Sequence, residues 1–217
     1  RRQVRNGMTE RDHITGSGNA TKVPLVEPGA TVLDIGAGTG ADTLSLAIMV
    51  GETGRVIAIE PNARDFIALS ANIAGNPNLA PRITCYQILR TDYDATTMTV
   101  ANDSPEVQTL DTLCARAGLG KIDMIKMEAG GTEPAILQGA ETVLRRDRPV
   151  MILDLAPAAL ERAGSGLGSH IGHLRRLGYR LHDPADDRLV DIDLAGLAAS
   201  IPPGGSVTVV ARASALE

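Results

Sequence analysis

From Thr31 onward, short β-branched runs alternate with segments of helical periodicity, and this alternation restricts the fold more than any other feature of the chain. "TVLDIG" reads as a strand, and "ADTLSLAIMV", residues 41 to 50, as the helix after it. "RVIAIE" at 55 to 60 is a second strand. "PNARDFIALSANI" then sets Phe66, Leu69 and Ile73 at helical spacing, with Pro61 where a first helical turn accepts proline. "RITCYQIL" from Arg82 is a third strand, "IDMIKMEA" at 122 to 129 a fourth and "RPVMILDLA" a fifth. Between the third and fourth, residues 93 to 120 break the rhythm: "TMTV" and "EVQTL" read as short strands and "LDTLCARAGL" as a short helix, an insertion in the core pattern. Thr132 is predicted to cap one helix, "EPAILQGAETVLRR"; a helix around 168 to 177, "YRLHD" and "SVTVVARA" complete the set. "GSGLG" at 164 to 168 reads as a loop.

Strands that alternate with helices form a mostly parallel sheet covered on both faces. The expected fold class is therefore α/β, a doubly wound Rossmann-like sheet of seven strands. Ligands bind such sheets at the carboxyl ends of the strands. That directs attention to Asp34 to Gly40, Glu60 to Asn62, Leu89 to Asp92 and Lys126 to Gly131. Residues 1–27 read as a polar N-terminal arm or lid, and residues 28–217 as one domain. The first residue is Arg1 rather than Met, as in a fragment or a processed chain.

A net charge of −5 argues against a nucleic-acid surface, because phosphate neutralisation needs clustered Lys and Arg that this chain mostly scatters. Arg145, Arg146 and Arg148 read as a helix C-terminus, where basic residues are favoured. No apolar run reaches the roughly 18 residues of a membrane span, and residues 1 to 20 hold no apolar signal core. Cys85 and Cys114 form no CxxC and read as buried thiols of a reducing compartment, so the expected location is the cytoplasm. With three Tyr, one Phe and no Trp, a ligand site has to be built from backbone, aliphatic and charged groups.

Gly36, Gly38 and Gly40 make a tight turn at the start of a helix, where the missing β-carbons let a ligand approach the backbone, and Ala37 lies within it. Read as Gly36-x-Gly38-x-x-Ala41, the turn also satisfies the dinucleotide pattern. Glu60, 24 residues beyond Gly36, is placed to accept hydrogen bonds from the two hydroxyls of a ribose, which suits an adenosine in either cofactor class. Asp34 discriminates. A carboxylate repels a pyrophosphate, whereas the amino-acid end of S-adenosylmethionine carries an ammonium that it attracts, directly or through water.

The chain resembles the FkbM-like methyltransferases, within the class I S-adenosylmethionine-dependent enzymes. The resemblance rests on "PGATVLDIGAGTGADTLSLA", "GRVIAIEPNARDFIALSANI", "ITCYQILRTDYDATTMTV" and above all "IDMIKMEAGGTEPAILQGAETVLRRDRPVMILDL", from about Pro28 to Leu155. It implies that Asp34 and Gly36 hold the methionine portion, that Glu60 takes the ribose with Pro61 and Asn62 beside it, that Thr91 and Asp92 meet the adenine edge, and that Leu89 packs on the adenine face. Two departures stand out. Gly38 replaces the family's Asn in its glycine turn. In Lys126-Met127-Glu128-Ala129-Gly130-Gly131 the family's Asp is Glu128 and its Glu is Gly130.

Lys126 and Glu128, two apart on a strand, point to one face near its carboxyl end. Glu128 then reads as a general base, or as a group positioning an acceptor hydroxyl. Lys126 tunes it, or serves as base itself where desolvation lowers its pKa; the bland alternative is a structural ion pair. No metal is expected. His170 and His173 read as a solvated helix face, and His13 lies in the arm. The reading that emerges is an S-adenosylmethionine-dependent methyltransferase acting on a hydroxyl of a small molecule, a sugar or a secondary metabolite. Its rivals are a cofactor- or partner-binding domain without turnover and an NAD(P)-dependent oxidoreductase.

Overall fold

The computed structural model describes residues 26–90, 106–191 and 193–214. Residues 1 to 25 of the arm with His13, and Thr91, Asp92 and the "TMTV" segment, lie outside the described residues. In chain order the elements are β1 (Thr31–Ile35), α1 (Ala41–Met49), β2 (Arg55–Ile59), α2 (Ala63–Ala74), β3 (Ile83–Tyr86), β4 (Ile88–Arg90), β5 (Glu106–Gln108), α3 (Leu110–Arg116), β6 (Met124–Met127), α4 (Glu133–Gln138), α5 (Glu141–Asp147), β7 (Val150–Leu155), α6 (Pro157–Arg162), α7 (Leu167–Arg176), β8 (Tyr179–His182), α8 (Leu194–Ser200) and β9 (Val207–Ala213).

The main sheet has seven strands in the order β3-β2-β1-β6-β7-β9-β8. All neighbours from β3 to β7 are parallel, and β9 runs antiparallel between β7 and β8. The expected mostly parallel, seven-stranded α/β sheet is what the chain forms. Central strands read as nearly unbroken apolar runs, broken only by Asp34 and Lys126, because both faces are covered: Val32, Leu33 and Ile35 of β1 and Met124, Ile125 and Met127 of β6 are all buried. Truncating one such side chain to alanine costs about 2–5 kcal/mol. Chain order reverses between β1 and β6, so the carboxyl ends of β2, β1, β6 and β7 stand side by side at the switch point.

Several local expectations give way to tertiary bonding. "RITCYQIL" is not one strand: the Tyr86 carbonyl accepts from Glu60 N, and the chain then leaves the main sheet to pair β4 with β5 in a separate two-stranded sheet. "EPAILQGAETVLRR" is two helices. At the break, Asp111 N donates to Gly139 O, and the Asp111 carboxylate accepts from Thr142 N and Val143 N, so α3 supplies the cap that starts α5. Thr132 precedes α4 but gives no side-chain cap; its hydroxyl donates to Ala129 O. Helices α6 and α8 had no expected counterpart.

His170 and His173 are buried, not a solvated face, since α7 turns them toward the core beside Ile171 and Leu174. Burial, with His173 adding to it, pushes the His170 imidazole down to about 4, so it is a neutral core residue at physiological pH. Cys114 is buried, its thiol pushed up to about 11 by burial first and Asp111 second, which makes it unreactive. Cys85 is only half-buried. Arg145 and Arg146 fall in the last turn of α5, as a helix end favours. No helix among the described residues is long and apolar enough to cross a membrane.

Candidate active site

The glycine turn leaves β1 at Ile35 and is held from two sides. Gly36 N and Ala37 N both donate to Ile59 O at the end of β2, at 3.0 and 3.1 Å. Glu60, buried at the same strand end, accepts from Gly38 N and from Asn62 N, each at 2.8 Å, one bond on each carboxylate oxygen. The turn and the start of α2 are thus clamped by one side chain. Two of the glycines have different duties. Gly36, at φ 77°, lies so close to the end of β6 that a Cβ would fall 1.9 Å from Glu128 O, whereas a Cβ on Gly38, at φ 53°, would meet nothing within 4 Å. Gly36 lets two strand ends meet, and Gly38 leaves open space above the backbone.

A buried charge network lies beneath the turn. Asp34 is fully buried and adjoins Lys126 in the sheet register; its Oδ2 accepts the Thr43 hydroxyl at 2.5 Å, and its Oδ1 stands 3.4 Å from Lys126 Nζ. The same ammonium reaches Asp42 at 3.1 Å and Glu128 at 3.6 Å, and the Lys126 side chain is only 7% exposed. Burial by itself would lower the pKa of Lys126. The carboxylates of Asp34, Asp42 and Glu128 outweigh it and hold the ammonium well above its ordinary value. Lys126 therefore stays protonated and cannot serve as a base, which removes one of the roles its sequence position allowed. Burial pushes the Asp34 carboxyl up, opposed by Lys126 and Thr43.

Above this network opens a cavity of about 450 Å³, lined by Gly36, Ala37, Gly38 and Thr39 of the turn, Ala41 and Asp42 of α1, Glu60 after β2, Lys126, Glu128, Gly130 and Glu133 around β6 and α4, and Asp154 and Ala156 at β7. Its size is ordinary for a small-molecule site. Of the residues singled out in the sequence it gathers Gly36, Ala37, Gly38, Glu60, Lys126 and Glu128. Asp34 lies behind the cavity and acts on it through Lys126. Asn62 is exposed and caps α2, accepting from Arg64 N and Asp65 N, so Pro61 precedes the cap instead of entering the first turn. Leu89 is placed in β4 by its backbone.

Sequence reasoning missed three lining carboxylates. Asp154 stands near the carboxyl end of β7, a strand end in the switch region beside β6. Glu133 opens α4 and is buried, its Oε1 accepting Ala129 N at 2.8 Å, which holds the bend after β6. Asp42 sits in the first turn of α1, where an acid is favoured by the helix dipole. Burial raises the Asp154 carboxyl; the Ser206 hydroxyl lowers it, Glu133 raises it again and Lys126 opposes. Five carboxylates thus face the cavity against one ammonium among the described residues, and that ammonium is already shared by two of them, Asp42 and Glu128, and by Asp34 behind. At about 4 Å and an effective dielectric near 20, one unit-charge pair interacts by about 4 kcal/mol. Such walls suit a ligand bearing ammonium and sulfonium charges over the open turn at Gly38, and they repel a pyrophosphate. No three His, Cys, Asp or Glu among the described residues are arranged to hold a metal ion.

Comparison with known proteins agrees with this architecture. The model of the methyltransferase FkbM domain matches residues 34–181, more than half of the chain. A methyltransferase FkbM from Methylobacillus flagellatus KT superposes with a TM-score of 0.57 at 19% identity over 86% of this chain and 44% of that one, so the chain spans less than half the length of that protein. A SAM-dependent O-methyltransferase from Thermotoga maritima gives a TM-score of 0.52 at 14% identity, covering 88% of this chain and 62% of that one. Aeropyrum pernix fibrillarin, solved with natively bound S-adenosyl-L-methionine, gives 0.51 at 14% identity, covering 88% and 68%. At these identities the likeness is one of fold. No curated protein matches the chain. The family match and the sheet order, with the glycine turn and Glu60 at its switch point, lead to one assignment: the chain belongs to the FkbM methyltransferase domain family.

Proposed function

We propose that the chain binds S-adenosylmethionine over the glycine turn and transfers its methyl group to a hydroxyl of a small molecule, a sugar or a secondary metabolite. The observation that carries the reading is the carboxylate-rich wall of the cavity with its single, already paired Lys126. The sulfonium supplies a methyl group already activated for in-line displacement, so the chain's own contribution is placement and charge. Glu60, pointed into the cavity while it clamps Gly38 N and Asn62 N, has lone pairs left for the ribose hydroxyls. Asp42 and the turn from Gly36 to Gly38 face the methionine end, and Asp34 fixes Lys126 behind them. Leu89, Thr91 and Asp92 are assigned to the adenine by the family resemblance. Glu128, at the mouth with its side chain 52% exposed, positions the acceptor.

The rival reading, binding without turnover, rests on Gly130 standing where the family has Glu. The cavity compensates for that loss, because Glu133 and Asp154 face the same space.

Titration calorimetry with S-adenosylhomocysteine and with NAD tests the reading: the first is expected to bind and the second to be rejected, and binding of NAD alone would overturn it. Glu60→Gln is expected to weaken S-adenosylhomocysteine by at least about tenfold, the effect of losing a charged hydrogen bond worth about 1.5–3 kcal/mol. An unchanged affinity would remove Glu60 from the ribose.

A further inference from the structure

Along the sheet the cavity runs from Glu60 after β2, over the turn after β1, past Lys126 and Glu128 of β6, to Asp154 and Ala156 of β7. With the ribose at Glu60 and the methionine over the turn, the space left for the acceptor is the far end, over β6 and β7. Asp154 belongs to that end. Register sets Lys126 against Ile152 and Met127 against Leu153; one step further, Asp154 comes beside Glu128, and two residues beyond Ile152 it shares the face that Lys126 occupies. It is half-buried where Glu128 is half-exposed, and the Ser206 hydroxyl, just before β9, favours its charged form.

On the methyltransferase reading above, we propose that Asp154 is the catalytic residue that meets the acceptor, accepting the hydrogen bond of its hydroxyl and then its proton. Asp154 takes the proton as the acceptor oxygen bonds to the methyl carbon and the carbon–sulfur bond breaks with its electron pair left on sulfur. The charges balance, since the sulfonium becomes a neutral thioether and the carboxylate a neutral acid. Burial, with Glu133 on α4 adding to it, moves the Asp154 carboxyl up from its ordinary value, against the pull of Ser206 and Lys126, and a raised carboxyl is a better proton acceptor. Glu128 has no such enclosure, so it steers the acceptor while Asp154 does the chemistry.

The test needs no known acceptor. Sinefungin, the adenosylmethionine analogue with a primary amine on the carbon that replaces sulfur, projects an ammonium toward whatever group faces the transferred methyl. Calorimetry on the wild type at pH 8 is expected to show sinefungin binding at least about tenfold tighter than S-adenosylhomocysteine, the size of one charge-assisted hydrogen bond. Asp154→Asn is expected to erase that preference while S-adenosylhomocysteine affinity stays within about twofold. In the wild type the preference is expected to fall on acidification as Asp154 protonates, and Ser206→Ala, which removes a hydroxyl that favours the charged form, is expected to move that midpoint to higher pH; this arm stands even if the Asn variant does not fold. Absence of the preference in the wild type, its survival in Asp154→Asn, or a midpoint unmoved in Ser206→Ala would overturn the proposal. If S-adenosylhomocysteine fails to bind the wild type at all, the methyltransferase reading itself fails, and this proposal with it.

Discussion

Lys126→Met is expected to destabilise the fold by about 3–5 kcal/mol at pH 7, because it removes one partner of a buried ion-pair network and leaves the others uncompensated. Asp34 is fully buried, and without the ammonium it keeps only the Thr43 hydroxyl. For a chain of this size the loss corresponds to a melting point lower by about 10 °C. The deficit depends on pH in a definite direction. Deprived of its cation, the Asp34 carboxyl titrates in the folded protein above its unfolded value. The folded variant therefore binds the proton more readily, and its deficit shrinks as the pH falls through the folded value and is fully present above it. Scanning calorimetry of wild type and variant at pH 7 and pH 5 checks both parts. A variant that melts within about 2 °C of wild type at pH 7 would mean that these carboxylates are solvated and the pairs are idle.

That network also shows what could and could not be read from the sequence. Alternating strand and helix patterns were enough for the sheet, because buried parallel strands leave apolar runs such as "VLDI" and "MIKM", each interrupted by one charged residue, Asp34 or Lys126. Breaks within elements were not legible. The split of "EPAILQGAETVLRR" depends on Asp111, about 30 residues away in sequence, donating to Gly139 and capping α5. Buried histidines were misread for a related reason: the helical spacing of His170 and His173 gives a face but not what that face packs on. In the site, the strand-end rule found Glu60, Lys126 and Glu128 and would have found Asp154 had β7 been included. Asp34 pointed to an acidic site, but from a position behind the cavity. Its carboxylate lies behind Lys126, and the acidic lining of the cavity is built by Asp42, Glu60, Glu128, Glu133 and Asp154.

Substitutions at Gly36 and Gly38 separate the two uses of the glycine turn. Gly36→Ala places a Cβ 1.9 Å from Glu128 O at a φ of 77°, and the obstacle is backbone at the end of a central strand, not the tip of a side chain. Left-handed geometry alone costs about 1–2 kcal/mol in an alanine, and here β1 and β6 must also part at the level where Glu128 N donates to Ile35 O. The expected result is insoluble protein or a melting point lower by more than about 10 °C. Gly38→Ala carries a similar φ cost but meets no atom within 4 Å, so the fold is expected to survive with a melting point lower by only about 2–8 °C. Its methyl group enters the open space over the turn, where the ligand would approach the backbone, and S-adenosylhomocysteine affinity is expected to fall by at least about tenfold, or 1.4 kcal/mol. Thermal melts with titrations of the same two proteins check the pair. A well-folded Gly36→Ala would show that the contact between β1 and β6 is soft, and a Gly38→Ala that binds like wild type would show that the ligand does not pass over the turn.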